Sequence, residues 1–160
     1  MKENVIIRFV KEDELEKVNI LRKQVHKLHI DGRADFFKSD GWDGIKEVAK
    51  VRFDSDDSNV IVACYDREIV GIAIIQYIHR PESQFRPPHD FVHIEEFCVD
   101  EKHRRRGIAT SLFDFIKEDA SNRGIKKLEL NMWEFNESAL KFYESIGFKT
   151  YRRDLEMFLV

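Results

Sequence analysis

Three consecutive arginines, Arg104, Arg105 and Arg106, stand directly before Gly107, Ile108 and Ala109. At this point an apolar run ends and helical spacing begins. The first turn of a helix leaves backbone N–H groups unpaired and carries partial positive charge. A turn of small residues there lets an anion approach the backbone, and arginine adds fixed charge and bidentate donors. The residues alone leave three readings open: a phosphate cradle, a solvated charge run, or a nucleic-acid patch. Asp100, Glu101 and Asp114 lie close by and oppose a broad nucleic-acid surface. Just upstream, HIEEFCV (93–99) offers carboxylates suited to taking a proton, Glu95 and Glu96, and a second base type in His93. On a regular strand Glu95 and Glu96 point to opposite faces, unless a bulge re-aims them. His93 shares the face of Glu95. Six histidines are present, but His79, His89, His93 and His103 show no ligand spacing on a common element, so no metal site is expected.

These residues need elements to position them. NVIIRFV (4–10) reads as a strand. Leu15, Val18, Leu21, Val25 and Leu28 recur at helical spacing. The loop 30–44 is rich in Gly, Asp and aromatics, and a second helix follows over 45–53. Segments 60–66 and 68–79 form a hairpin turning near Asp66 and Arg67. All three prolines fall in the loop 80–90. Then come a strand (91–99), a helix (106–123) stopped by Gly124, a strand (125–133), a helix (136–147) with Asn136 as N-cap, and a last strand (148–160). The order β α α β β β α β α β describes one mixed α/β domain over 1–160, without repeats or linkers.

Composition narrows the function classes. At 160 residues, 42% hydrophobic and 36% charged, the chain can bury a core without metals or disulfides. A net charge of -3 supplies no global basic field, so no nucleic-acid partner is expected. Cys64 and Cys98 sit in apolar runs and read as small buried hydrophobes. No stretch is apolar and long enough for a signal peptide or membrane span. The expectation is a reducing cytoplasm and no membrane partner.

RRRGIA (104–109) fits the Q/R-x-x-G-x-G/A signature of the GNAT N-acetyltransferases, with Ala109 where many members have glycine. NESALKFYESIGF (136–148) resembles the family's N-x-x-A-x-x-x-Y-x-x-x-G-F segment, and the element order matches over nearly the whole chain. The resemblance implies a mixed central sheet flanked by helices and acetyl-CoA as cosubstrate. It places the pyrophosphate on Arg104, Arg105, Arg106, Gly107, Ile108, Ala109 and Thr110, with the outer arginines reaching toward the 3′-phosphate or solvent. It places the pantetheine arm along the backbone of Phe97, Cys98 and Val99, and gives Asn136 a cofactor contact.

The implied reaction moves an acetyl group to a primary amine by direct attack in a ternary complex. An alkylamine with a pKa near 10.4 is mostly protonated at neutral pH, so a base is required. HIEEFCV is similar to the acidic-pair strand of polyamine acetyltransferases, which makes Glu95 the water-relayed base, with Glu96 and His93 as alternatives. Tyr143 falls on the family tyrosine that protonates the departing sulfur. The acceptor pocket would draw on His29, Asp31, Asp35 and Trp42, among His26, Arg33, Phe36 and Phe37. Asp31 and Asp35 suit an ammonium group and tilt the reading to a small polyamine or diamine. A protein N-terminus or lysine is the alternative acceptor, and a non-catalytic acyl-CoA sensor is the alternative class. Homodimers are common in the family, which implies a dimer.

Overall fold

The computed structural model describes residues 4–160. Five strands form one sheet in the order β1 (Val5–Phe9), β2 (Ser58–Tyr65), β3 (Glu68–Arg80), β4 (His89–Val99) and β5 (Leu128–Leu130). The first three pairings are antiparallel and β4–β5 is parallel. Helices α1 (Leu15–Gly32), α2 (Trp42–Ile45) and α3 (Val48–Asp54) lie between β1 and β2 in the chain; α4 (Ile108–Asn122) lies between β4 and β5, and α5 (Glu137–Ser145) follows β5.

Strand alternation divides the core in two. Val60, Val62, Ile72 and Ile74 face α1 and α3, where Leu15, Val18, Leu21 and Ala49 are buried against them. Ile61, Ala63, Ala73 and Ile75 face α4, against Ile108, Leu112, Phe113 and Ile116. Each such side chain contributes roughly 1.5–3 kcal/mol on leaving water, so these two layers hold the sheet between its helices. Gly71 lets α4 come close: a Cβ there would lie 3.2 Å from both Ile108 and Leu112. The β2–β3 hairpin turns on Asp66 and Arg67, whose φ values of 48° and 68° belong to the tight turn that matches strand twist.

The expected element order holds through α5, with two differences. The helix read over 45–53 is α3, starting at Val48, and the short α2 stands at the end of the segment read as a loop over 30–44. The last strand, read over 148–160, forms no ladder in its own chain. Its apolar residues looked like a strand, but pairing requires a partner edge as well as a pattern. No described helix is long and apolar enough to cross a membrane.

Candidate active site

The site is built around a parting of two strands. β5 runs beside β4 only from Val92↔Leu128 to Ile94↔Leu130, while β4 continues to Val99. Past Ile94, one edge of β4 therefore has no neighbour. The Asp100 N–H bonds to the Val70 carbonyl on β3 at 2.8 Å. By alternation Cys98 also turns its N–H toward β3, which leaves the N–H groups of Phe97 and Val99 on the open edge. Of the three backbone positions expected to meet a pantetheine arm, two are thus presented and that of Cys98 is engaged.

The β3–β4 register slips between Ile74 and Ile75: Ile74 opposes Glu96 and Ile75 opposes Ile94. Glu95 is the extra residue of a β-bulge. The two glutamates consequently share the face of α1 and α3, in place of the opposite faces of a regular strand. Arg22 of α1 donates to Glu96 from Nε at 2.6 Å and from Nη2 at 2.8 Å. Arg52 of α3 donates to Glu95 from Nε at 2.7 Å and from Nη2 at 3.1 Å. Arg22 also reaches the Asn19 side chain and the carbonyls of Ile45 and Lys46, so it ties α1, the α2 region and β4 together. Neither arginine was singled out from the sequence, because their partners lie 74 and 43 residues away.

At the end of β4 the chain turns through Glu101–His103 and enters α4. Gly107 caps α4 with φ 76°, a conformation that L side chains rarely adopt, and Arg105 is also left-handed at φ 63°. The first helical bond runs from the Ser111 N–H to the Gly107 carbonyl, so the N–H groups of Ile108, Ala109 and Thr110 precede it. A Cβ on Gly107 would meet no atom within 4 Å, which makes the approach to these amides open. Arg104 and Arg105 make no hydrogen bond or ion pair among the described residues, and Arg106 lies over the Tyr65 ring at 5.3 Å. The open amides and the arginine charge suit an anion at this end of α4.

Tyr143 of α5 packs edge-on to Phe113 and Phe148. Burial, with Cys98 nearby, pushes its phenol up to about 12. It therefore keeps its proton at neutral pH and has one to give. Cys98 is buried, donates from Sγ to the Leu21 carbonyl at 3.8 Å, and has its thiol pushed up to about 12 by burial. Such a thiol is no nucleophile. Asn136 caps α5 by accepting from the Ala139 N–H at 3.3 Å.

The residues expected to bind the acceptor do not converge as one group. His29 stacks on Phe37 at 5.3 Å and meets the edge of Phe135 at 6.3 Å. Trp133 adjoins Phe36, Phe37 and Phe135, completing an aromatic group at the end of α1. The Phe135 ring presses on Gly32, where a Cβ would lie 2.5 Å away. Burial chiefly, with His26 nearby, holds His29 below the ordinary histidine range. Asp35 is instead held in a bidentate pair by Arg33, at 2.9 Å for each bond. Asp31 is exposed. Trp42 packs on His26 beneath Arg22 and Lys23. The sequence reading missed Trp133 and Phe135, which follow β5 and were taken for strand and loop; their spacing (i, i+2) was the available signal.

Known proteins resemble the chain in sequence and in fold. The L-amino acid N-acetyltransferase AaaT of Escherichia coli is 30% identical over 92 residues, 56% of this chain and 52% of that protein. N-alpha-acetyltransferase 30 of Schizosaccharomyces pombe is 33% identical over 88 residues, 55% of each. The chain thus spans about half the length of the curated relatives it matches. A mutant of the BH1408 protein from Bacillus halodurans superposes with TM-score 0.92 at 28% identity, covering 97% of this chain and 99% of that one. The model of the acetyltransferase (GNAT) family matches residues 24–148, the stretch that holds the parted strands, the arginine loop and Tyr143, and the chain belongs to that family.

Proposed function

We propose that the protein transfers acetyl from acetyl-CoA to a small primary amine. The observation that carries this reading is the junction itself: an open β4 edge leading into the unpaired amides of α4, with the Tyr143 ring packed on Phe113 of that helix. Arg104, Arg105 and the amides of Ile108, Ala109 and Thr110 would hold the pyrophosphate, and Arg106 would border it. The N–H groups of Phe97 and Val99 would align the pantetheine arm, with Asn136 near its end. Acetyl-CoA supplies an activated acyl group on sulfur.

The chain supplies the proton transfers. Glu95, held in place by Arg52, takes one proton from the acceptor ammonium through water; a carboxylate that accepts two bonds from a guanidinium keeps lone pairs for that water. Tyr143 gives its proton to the departing sulfur and is reprotonated by the second proton, which the acceptor nitrogen loses after attack; the proton taken through Glu95 passes to solvent, so the balance closes. Glu96 is assigned to bracing α1 through Arg22 and leaves the base role. His29, kept neutral by burial, lines the acceptor with Phe37, Trp133 and Phe135, where aromatic faces attract an ammonium group. With Asp35 committed to Arg33, aromatic rather than acidic recognition supports the small-amine reading, diamines included. The α-amine of a peptide is the second reading, favoured by the exposure of Phe36 at the rim.

The test is release of CoA thiol with diamines, amino acids, aminoglycosides and N-terminal peptides as acceptors. Tyr143→Phe and Glu95→Gln are expected to lower kcat by about 10²-fold or more each, with acetyl-CoA affinity by calorimetry unchanged. Full turnover in both variants would remove the assigned roles. Failure of the wild type to bind acetyl-CoA would remove the reading altogether.

A further inference from the structure

The three arginines before α4 are not equivalent. Residues 104–107 form turns and bends rather than helix or strand. Their backbone is left-handed at Arg105 (φ 63°) and again at Gly107 (φ 76°). Such a shape persists only where the surroundings hold it. Upstream the hold is Asp100. Its N–H bonds to the Val70 carbonyl at 2.8 Å, and its carboxylate accepts from the Lys102 N–H at 3.4 Å and lies 3.3 Å from Nδ1 of His103.

A single ring holds the loop from the side of the sheet. Tyr65 meets the His103 imidazole at 5.8 Å and carries the Arg106 guanidinium at 5.3 Å, so it touches the chain both before and after the left-handed Arg105. Tyr65 is itself fixed. It ends β2, opposite Val5 of β1 and Glu68 of β3, and packs against the α4 layer of the core. A side chain on a rigid strand holds a loop more closely than a neighbour within the loop can. Arg106 is thereby turned to the sheet, whereas Arg104 lies near enough to Cys98 of β4 for its charge to act on that thiol.

We infer that Tyr65 and Arg106 form a clasp that holds the arginine loop in its phosphate-receiving shape, and that Arg106 is a positioning residue rather than a phosphate ligand. The inference rests on the acetyl-CoA reading and divides the arginines between two tasks. Arg104 and Arg105 carry charge to the ligand, and Arg106 fixes where that charge stands. A guanidinium over a tyrosine face is attracted by the ring quadrupole. A contact of this kind does not depend on the ligand, so it preforms the loop and leaves less ordering to be done on binding.

The test separates the clasp from the chemistry. Dissociation constants are measured by NMR titration for acetyl-CoA and for acetyl-pantetheine, which lacks the phosphates. Tyr65→Leu is expected to weaken acetyl-CoA binding about tenfold and to leave acetyl-pantetheine within about twofold. Tyr65→Phe keeps the ring and is expected to bind both as the wild type does. Arg106→Gln is expected to match Tyr65→Leu and to add nothing to it, whereas Arg104→Gln adds its own loss. The inference is overturned if Tyr65→Leu binds acetyl-CoA like the wild type, if both ligands weaken equally, or if the losses of Tyr65→Leu and Arg106→Gln add. Should Tyr65→Leu not fold, the wild type decides. Its Arg106 side-chain protons are expected upfield, in the ring current of Tyr65, and to stay there when acetyl-CoA is added; their return to ordinary positions would show Arg106 leaving the ring for the phosphates and would overturn the inference. A wild type that binds no acetyl-CoA removes the proposed function and this inference with it, whereas the other failures leave the proposed function standing.

Discussion

Arg22 is the residue on which the geometry beside the open β4 edge depends most, and its removal can be estimated. Its side chain is 2% exposed and spends five hydrogen bonds on Glu96, Asn19 and the carbonyls of Ile45 and Lys46. Truncation to alanine leaves Glu96 without its cation and two carbonyls without a donor. Breaking a buried pair from one side costs about 3–5 kcal/mol. Glu96 retains 27% exposure, so water offsets part of the loss and about 3 kcal/mol is the expected value. For a chain of this size that lowers Tm by roughly 6–12 °C. The assay is urea unfolding of wild type, Arg22→Ala and a control, Arg33→Ala, whose ion-pair partners Asp35 and Glu156 are more than half exposed and contribute little. Arg22→Lys restores charge but not the fork, and should recover less than half of the loss. If Arg22→Ala costs no more than Arg33→Ala, the claim that this pair clamps α1 to β4 is wrong.

Two further outcomes follow from particular residues. Gly107→Ala places an L side chain at φ 76°, a strain of about 1–2 kcal/mol; because the added Cβ meets no neighbour, the cost should appear as a tilt of the α4 amides and roughly tenfold weaker acetyl-CoA binding by calorimetry. The Glu14 carboxyl is pulled from 4.5 to about 2, chiefly by the hydrogen bond from Arg8. Its folded value lies below its unfolded one, so its contribution is complete above about pH 4.5 and is lost as pH falls from there toward 2. Glu14→Gln should therefore flatten the fall of Tm over that window, which thermal melts at stepped pH will show.

Much of this arrangement was legible in residue order, and the parts that were not share a cause. The α4 helix was readable because Gly107, the apolar stripe from Ile108 to Ile116 and the stop at Gly124 all act within the chain neighbourhood. Tyr143 stood out only through the resemblance of residues 136–148 to the family segment. The Arg22–Glu96 and Arg52–Glu95 pairs were not, since nothing local marks which distant arginine meets which carboxylate. The bulge was hidden because one surplus residue leaves no compositional trace. Asp31 and Asp35 looked like ammonium ligands by type, yet Arg33 lies two residues from Asp35 and engages it first. Residues 148–160 were apolar enough to read as a strand, yet they join no ladder among the described residues, because pairing needs an edge as well as a pattern.

The surplus residue at Glu95 has a consequence of phase. Before it, Ile94 points to the α4 layer, and two residues later Glu96 points to the α1 layer, so the odd–even rule of the strand is inverted from there to Val99. Phe97 reaches Phe113 and Cys98 reaches Leu21 only because of that inversion. Deleting a single residue at this position would close the bulge and leave Phe97 and Cys98 in their present layers, with one carboxylate in place of two facing α1 and α3. The surplus residue is therefore what sets two neighbouring carboxylates on one face, each within reach of its own arginine, a pairing that regular alternation forbids.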